Sequence, residues 1–279
     1  MSNNKKFENI FIASDLDGTF FGSKTNLVER NLERIKYFCE NGGRFTFATG
    51  RLPMFMRKPI PNPEQIVNFP AVTGNGTCLF DYQIGKAVEE HFIDASLLAE
   101  VEDFLVKETG FEAAIRATYA DGVIMSTLEN SALKKEFETF PDYVKREVSS
   151  AHNWKGRNLY KANIRGDVDV IQELYPRMQR IYGDIFNVTT SAKTMIELMP
   201  RGISKASMLV DIKEKMLDKD TILCTVGDYD NDLEMHSIAD LPVCPANAND
   251  AVKTICKLQL CSNDDGVIGD LVDYFDKNI

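Results

Sequence analysis

The sequence predicts an α/β protein whose doubly wound parallel sheet is built from both ends of the chain, with an α+β domain inserted between them. Short apolar runs alternate with helical periodicity towards both termini, and this alternation is typical of strand-helix-strand units with right-handed crossovers. Between the two ends, strand pairs with an antiparallel pattern replace the alternation. We therefore expect a Rossmann-like core from residues 1–82 and 193–279, and an inserted α+β domain over residues 83–192.

The first half of the predicted core begins with an apolar run at residues 10–13, which suits a buried strand of a parallel sheet. A helix follows, and Asn26 and Glu29 are placed to form a capping arrangement at its start. Residues 44–48 and 70–73 then predict two further strands. Each of the three strands runs into small or polar residues, as expected where a parallel sheet ends at a crevice.

The middle of the chain predicts strand pairs that are each accompanied by a helix, which describes an α+β domain. The predicted segments are a hairpin at 77–92, a helix at 94–109, two strands within 112–127, a helix at 129–147, a strand at 158–165, a helix at 168–182 and two strands within 185–199.

The α/β alternation returns from Ser204 onwards. The predicted segments are a helix at 204–216, a strand at 221–226, a strand at 241–244, a helix at 249–256 and a closing helix at 267–275. This half of the core again carries acidic residues directly after a strand.

Composition excludes several classes of protein. The chain has 279 residues and a net charge of −10, which argues against nucleic acid as a partner but is compatible with a small anionic ligand held by local donors. Its six cysteines are scattered without a Cys-x-x-Cys pair, as expected in a reducing compartment. We find no apolar segment that suits a signal peptide or a membrane span. The sequence therefore predicts a soluble, cytoplasmic protein without a membrane partner, and it is compatible with a monomer.

The most informative residues are Asp15 and Asp17, which follow the first strand directly. On an extended backbone, residues two apart point to the same side, so both carboxylates can serve one site. Gly18 then lets the chain turn away. Two crowded carboxylates repel each other unless a divalent cation shares them, or unless one is a nucleophile and the other a proton carrier. The alternative is an aspartate-rich turn at the start of a helix.

Polar residues stand at the edges of four predicted core elements, and in an open parallel sheet such residues can converge on one crevice. These clusters are Asp15 with Asp17, Thr49-Gly50, Lys205, and Asp228 with Asn231 and Asp232. Each alone has a structural alternative, such as a strand exit, a solvated lysine or an acidic helix cap. A lysine in the first helical turn opposes the helix dipole at a cost of about 0.3–1 kcal/mol, which indicates another purpose.

Together the clusters predict a phosphoryl site. Asp15 and Asp228 offer the hard oxygen ligands that suit Mg²⁺, and Asp15 can also attack phosphorus to give an aspartyl-phosphate. Asp17 can protonate the leaving alcohol and later activate water. Thr49 and neighbouring backbone N–H groups would hold the transferring group, while Lys205 would neutralise its charge.

With these motifs in place, the chain resembles the phosphatases of the haloacid dehalogenase (HAD) superfamily, specifically the Cof-type branch with an inserted α/β cap. The four motifs are Asp15-Leu16-Asp17-Gly18-Thr19, Thr49-Gly50-Arg51, Lys205, and Gly227-Asp228 with Asn231-Asp232. A further Cof-like signature is Asn247-Ala248. The match covers nearly the whole chain, and it departs from the family at Ala206 and Ala246, where glycine is frequent.

The resemblance implies a role for each motif residue. Asp15 is implied as nucleophile and Mg²⁺ ligand, Asp17 as the general acid/base that also binds metal through its backbone carbonyl, and Asp228 as the third protein ligand. Asp232 would orient a metal-bound water or Lys205. The implied phosphate-binding residues are Leu16, Thr49, Gly50, Lys205 and Asn231.

The expected function is Mg²⁺-dependent hydrolysis of phosphomonoesters of small metabolites, with sugar phosphates as the expected substrate class. The inserted domain would be the cap that closes over the crevice and chooses the leaving group. One alternative is a sugar phosphomutase, which would share the aspartyl-phosphate. A non-catalytic metabolite-binding regulator ranks lower, because Asp15, Asp17, Lys205 and Asp228 are all present.

Overall fold

The structure, a computed structural model, describes residues 5–279, with the side chain of Ser191 left aside. The first four residues of the predicted core range lie outside the described part. The strands are β1 (Ile10–Ser14), β2 (Arg44–Phe47), β3 (Ala71–Thr73), β4 (Cys78–Asp81), β5 (Lys86–Glu90), β6 (Ala114–Tyr119), β7 (Gly122–Met125), β8 (Lys145–Val148), β9 (Lys161–Arg165), β10 (Phe186–Ala192), β11 (Met195–Pro200), β12 (Ile222–Val226), β13 (Leu241–Pro245) and β14 (Leu258–Leu260). The helices are α1 (Glu29–Glu40), α2 (Pro53–Met56), α3 (Leu98–Thr109), α4 (Ser131–Thr139), α5 (Val168–Tyr182), α6 (Lys205–Met216), α7 (Leu233–Ser237), α8 (Asp250–Ile255) and α9 (Val267–Asn278).

The described chain divides into two compact units. The first comprises residues 5–89 and Ser204–Ile279, and the second is Glu90–Ile203. The sequence-based boundaries at 82/83 and 192/193 differ from these. The hairpin of β4 and β5 extends the sheet that contains β3, so it belongs to the first unit, whereas β11 pairs with β9 inside the sheet of the second unit.

The first unit is built on a parallel sheet with the strand order β14-β13-β12-β1-β2. Strand β1 pairs with β12, with Ile10 opposite Ile222, and on its other side with β2, with Phe11 opposite Arg44. Because every pair in this sheet is parallel, the carboxyl ends of these strands share one edge. The predicted doubly wound core is confirmed.

Both faces of the sheet are covered, as the continuous apolar character of β1 predicts. Ile10 and Ile12 point to one face and pack with residues of α1 and α9, and Phe11 and Ala13 point to the other and pack with α6 and α7. All four side chains are buried. Helices on both faces therefore hold β1 in a fixed position within the core.

A buried asparagine joins two of these helices to the chain that follows β1. Asn31 of α1 donates from Nδ2 to the carbonyl of Phe20 at 3.1 Å, and its Oδ1 accepts from the N–H of Gly269 at 3.0 Å. The residue before α9 is Gly266, which has a φ of +84° and no side chain to cap the helix. Asn31 thus satisfies one of the first N–H groups of α9 from a neighbouring helix.

The second unit contains a sheet with the order β10-β11-β9-β6-β7-β8, in which the pairs are antiparallel except for β7 with β8. Apolar residues of α3 and α5 pack against one face, and Trp154 is buried among them. The indole Nε1 of Trp154 donates to the carbonyl of Ser149 at 2.9 Å. The α+β character expected of the inserted segment is therefore present in this unit.

Two local expectations are wrong. The predicted helix at 129–147 ends as α4 at Thr139, and residues 145–148 form β8 at the edge of the sheet, where a mostly exposed strand needs little apolar sequence. The capping arrangement at Asn26 is not formed, because α1 begins at Glu29 after Val28, and Asn26 instead closes a turn by accepting from the N–H of Gly22.

No helix within residues 5–279 combines the length and the apolar character needed to cross a membrane.

We predict that Asn31→Ala lowers the free energy of unfolding of the first unit by about 2–4 kcal/mol, because two buried backbone groups lose their partners. Urea denaturation followed by far-UV circular dichroism measures the loss. The control is Asn41→Ala, which removes one partly buried bond to the carbonyl of Tyr37 and should cost less than about 1 kcal/mol. Equal losses in the two variants would contradict the role of Asn31.

Candidate active site

Three of the four polar clusters follow neighbouring strands at the shared edge of the parallel sheet. Asp15 comes directly after β1 and its N–H donates to the carbonyl of Val226, the last residue of β12, at 2.8 Å. Asp228 lies two residues beyond that strand, and Thr49 lies two residues beyond β2. Adjacent parallel strands thus carry the motif residues to one edge, as the sequence predicts.

Lys205 is the centre of the cluster. It is the first residue of α6, and its Nζ donates to Oδ1 of Asp15 at 2.6 Å and to Oδ1 of Asp232 at 2.7 Å. The lysine is 2% exposed and Asp232 is 0% exposed, so both ion pairs are shielded from water. The hydroxyl of Ser204 caps α6 by accepting from the N–H of Ser207 at 3.2 Å, which fixes where the helix starts.

A glycine makes room for the start of this helix. Gly76 has a φ of +99°, and a Cβ on it would lie 2.2 Å from the carbonyl oxygen of Ser204. Any side chain at this position would displace the residue that precedes Lys205. The Gly-Asn-Gly turn after β3 is therefore part of what places the ammonium group.

The Asp228 carboxylate is held against the chain that follows Asp15. Its Oδ1 accepts from Oγ1 of Thr19 at 2.8 Å, and a Cβ on Gly18, which has a φ of +82°, would lie 2.4 Å from its Oδ2. Asp232 holds the loop after β12 in place, because its Oδ2 accepts from the N–H groups of Asp228 at 3.0 Å and Tyr229 at 3.3 Å.

Burial dominates the electrostatics of the cluster. It raises the pKa of Asp15 to about 8, with the Lys205 ammonium acting against it and the carboxylates of Asp232 and Asp228 acting with it. It raises the pKa of Asp228 to about 6. Burial alone would lower the pKa of Lys205, but the ion pairs to Asp15 and Asp232 outweigh it and raise that pKa. The lysine is therefore charged, and a second cation would favour ionised carboxylates.

The donor set fits a divalent cation. Carboxylate oxygens of Asp15, Asp228 and Asp232 lie within 4.8 Å of one another. When ionised, these three carboxylates and the Lys205 ammonium sum to a formal charge of −2, which one divalent cation neutralises. Hard oxygen donors of this kind suit Mg²⁺.

The Asp17 side chain stands apart from this cluster. Its two oxygens accept from Nε and Nη2 of Arg51 at 2.7 and 2.6 Å, and the carboxylate is 54% exposed. The guanidinium also lies over the ring of Phe21, 5.6 Å from its centroid. No role for Arg51 was predicted from the sequence, although its place in the Thr-Gly-Arg motif is the signal that could have suggested this pair.

The remaining predicted residues lie around the same edge. Thr49 is buried, and its Oγ1 accepts from the N–H of Arg51 at 3.1 Å. Gly50 lies against the Asn75 side chain, since a Cβ there would be 3.0 Å from its Oδ1. Leu16 is buried in the core, and Asn231 is half-buried in the short helical turn after Asp228.

Comparison with known proteins identifies the fold. A solved structure of a phosphatase of the haloalkanoate enzyme superfamily from Bacteroides thetaiotaomicron superposes with a TM-score of 0.78 at 16% identity, covering 99% of this chain and 98% of that one. A solved structure from Streptococcus mutans gives a TM-score of 0.81 at 22% identity, with 96% and 98% coverage.

A curated relative matches along almost its whole length. The 5-amino-6-(5-phospho-D-ribitylamino)uracil phosphatase of Bacillus subtilis is 23% identical, with 94% of this chain and 96% of the relative covered.

The model of the haloacid dehalogenase-like hydrolase family matches residues 12–271, a span that includes all four motifs and the inserted segment. The family predicted from the motifs is thereby confirmed, and this chain belongs to the haloacid dehalogenase-like hydrolases.

Proposed function

We propose that this phosphatase hydrolyses phosphomonoesters of small metabolites, with sugar phosphates as the expected class, in a Mg²⁺-dependent reaction through an aspartyl-phosphate. The observation that carries the proposal is the buried Lys205 ammonium bonded to both Asp15 and Asp232, with Asp228 beside them. A buried carboxylate that is oriented by a fixed cation and surrounded by further carboxylates suits a nucleophile in a metal-assisted site.

Asp15 is the proposed nucleophile. Lys205 holds its Oδ1, so the carboxylate presents a fixed orientation, and an Asp15 oxygen forms the bond to phosphorus as the bond from phosphorus to the leaving oxygen breaks. Asp17 leaves its ion pair with Arg51, carries a proton and gives it to that leaving oxygen. It then takes a proton from the water that cleaves the aspartyl-phosphate, which releases phosphate and restores Asp15.

The proposed Mg²⁺ ligands are Asp15, Asp228 and the backbone carbonyl of Asp17, with Asp232 supporting them through Lys205. When bound, Mg²⁺ would neutralise charge on the transferring phosphoryl group. Thr49, Gly50, Leu16 and Asn231 are the proposed phosphate-binding residues, through the Thr49 hydroxyl, backbone N–H groups and the Asn231 side chain.

The second unit is proposed to select the leaving group. One face of its sheet carries a buried polar cluster, in which Nζ of Lys161 donates to Oε1 of Glu197 at 2.7 Å and Nδ2 of Asn163 donates to the same oxygen at 3.1 Å. Arg116 donates from Nη2 to Oδ1 of Asn163 at 2.6 Å. Polar groups buried on a sheet face suit recognition of a hydroxylated molecule.

The names of two relatives support a small phosphorylated substrate. The Bacillus subtilis relative acts on a phosphoribityl compound, and an HMP-PP phosphatase of Yersinia enterocolitica is 25% identical over 81% of this chain and 79% of its own length. These two substrates differ from each other. The relatives therefore support a class of substrate, small phosphorylated metabolites, and do not identify one compound.

We predict that Asp15→Asn lowers the rate of phosphate release at least about 1,000-fold, both from p-nitrophenyl phosphate and from sugar phosphates, because the amide cannot form the acyl phosphate. The assay measures free phosphate with and without Mg²⁺, and thermal unfolding checks that the variant is folded. Activity within tenfold of the unsubstituted enzyme would disprove the nucleophile. Conversion of a hexose 1-phosphate into the 6-phosphate, without free phosphate, would instead identify a phosphomutase.

We predict that Asp17→Asn distinguishes leaving groups. The p-nitrophenolate group leaves without being protonated, whereas a sugar alkoxide needs a proton to leave. The fall in kcat/KM should therefore be at least about tenfold larger for a sugar phosphate than for p-nitrophenyl phosphate. Asp15→Asn serves as the comparison, since loss of the nucleophile should affect both substrates alike. An equal loss on the two substrates in Asp17→Asn would exclude Asp17 as the acid.

We predict that Lys205→Met lowers the free energy of unfolding by about 3–5 kcal/mol at pH 8 in the presence of a metal chelator, because Asp15 and Asp232 remain buried without their cation. The control is Lys213→Met on the same helix. Its ion pair with Asp240 is partly exposed, so its loss should cost about 0–1 kcal/mol. Similar costs for both lysines in urea denaturation would show that the Lys205 pairs contribute no more than a surface pair.

A further inference from the structure

One short segment contacts both loops that carry the acidic motif residues. Residues 247–249, which we call the 247–249 segment, follow β13 and precede α8. Asn247 bonds to the loop after β1, and Asn249 bonds to the loop after β12. Neither contact has a part in the proposed chemistry.

Asn247 acts through its side chain. Its Nδ2 donates to the carbonyl of Gly18 at 2.8 Å, and its Oδ1 accepts from the N–H of Asn263 at 2.9 Å. Both ends of the amide are therefore used, which fixes its orientation. Asn263 is itself buried and donates from Nδ2 to the carbonyl of Phe21 at 2.9 Å. Asn247 and Asn263, which are bonded to each other, thus hold the loop after Asp17 at the carbonyls of Gly18 and Phe21.

Asn249 acts through its backbone. Its N–H donates to the carbonyl of Asp228 at 3.0 Å, while its side chain caps α8 by accepting from the N–H of Val252 at 2.9 Å. The side-chain Nδ2 also donates to Oδ1 of Asp230 at 2.7 Å. The bond to Asp228 therefore does not depend on the identity of the side chain at position 249.

The two loops held in this way approach each other closely. Thr19 donates to the Asp228 carboxylate at 2.8 Å, and the position of a Gly18 Cβ would lie 2.4 Å from the same carboxylate. Asp15 and Asp228 repel each other when ionised. The bond from Thr19 links the Gly18 loop directly to the Asp228 side chain. A clamp on both loops would oppose their separation.

We propose that the 247–249 segment is a positioning element that holds the Gly18 and Asp228 loops at the separation needed for Mg²⁺, and that Asn247 thereby sets the affinity of the site for the ion. The inference rests on the proposed function, since it concerns the same metal site. Partners that orient metal ligands typically change metal affinity 10- to 100-fold when they are removed.

The test is isothermal titration of Mg²⁺ into the full-length protein, together with the Mg²⁺ dependence of phosphate release. Asn247→Ala should raise the dissociation constant for Mg²⁺ about tenfold. Its kcat at saturating Mg²⁺ should stay within about threefold of the unsubstituted enzyme, because the reacting groups are intact. General damage to the fold would lower kcat at saturating Mg²⁺ as well.

Position 249 provides a matched pair of variants. Asn249→Ala and Asn249→Pro both lose the helix cap and the bond to Asp230, but only proline loses the N–H that holds the Asp228 carbonyl. The φ of Asn249 is −70°, which proline adopts. We expect Asn249→Ala to change the Mg²⁺ dissociation constant less than twofold and Asn249→Pro to raise it at least fivefold.

The outcomes separate the inference from the function on which it rests. Unchanged Mg²⁺ affinity in Asn247→Ala, or equal Mg²⁺ affinities in the two position-249 variants, overturns the positioning role. Neither result contradicts the proposed phosphatase function. If the unsubstituted protein neither binds Mg²⁺ nor needs it for phosphate release, the proposed metal site fails and the inference fails with it.

Discussion

The site depends on one buried ammonium group. Lys205 offsets part of the negative charge of Asp15 and Asp232, and both would otherwise be buried carboxylates without a cation beside them. Most of the surrounding structure keeps this group where it is. The Ser204 cap starts α6 at the right residue, Gly76 makes room for that start, and Asp232 is fixed in turn by the N–H groups it accepts from. The proposed catalysis and the stability of the first unit would therefore depend on the same contacts.

The sequence predicted the parts of the molecule that local pattern controls. A buried parallel strand is apolar along its whole length, so β1 could be predicted from its residues. The residues after β1 could then be placed at the edge of the sheet without knowledge of any contact. The helix α5 was predicted with the bounds that it has. The approach of Asp15, Lys205, Asp228 and Asp232 was expected because polar residues at the edges of a parallel-sheet core can converge on one crevice, although the distances between them were not predicted.

The parts it did not predict depend on neighbours that are distant in sequence. An edge strand such as β8 is exposed and carries charge, so nothing in its own residues separates it from the end of a helix. The turn at Asn26 competes with a helix cap that uses the same residue types. Nor could spacing show that the Asp17 carboxylate pairs with Arg51, because that choice is made by two side chains 34 residues apart.

The split connectivity of the first unit has a consequence for the order of synthesis. In the parallel sheet, β1 lies between β2 and β12. Strand β1 is therefore paired on both sides only when β12 is present and Ile222 lies opposite Ile10. Residues 90–203 are synthesised before α6 and β12, and domains generally fold as units during synthesis. The second unit can therefore fold while Asp15 is still without Lys205. A nascent chain can bring Lys205, Asp228 and Asp232 to Asp15 only after the part of the first unit that begins at Ser204 has been made.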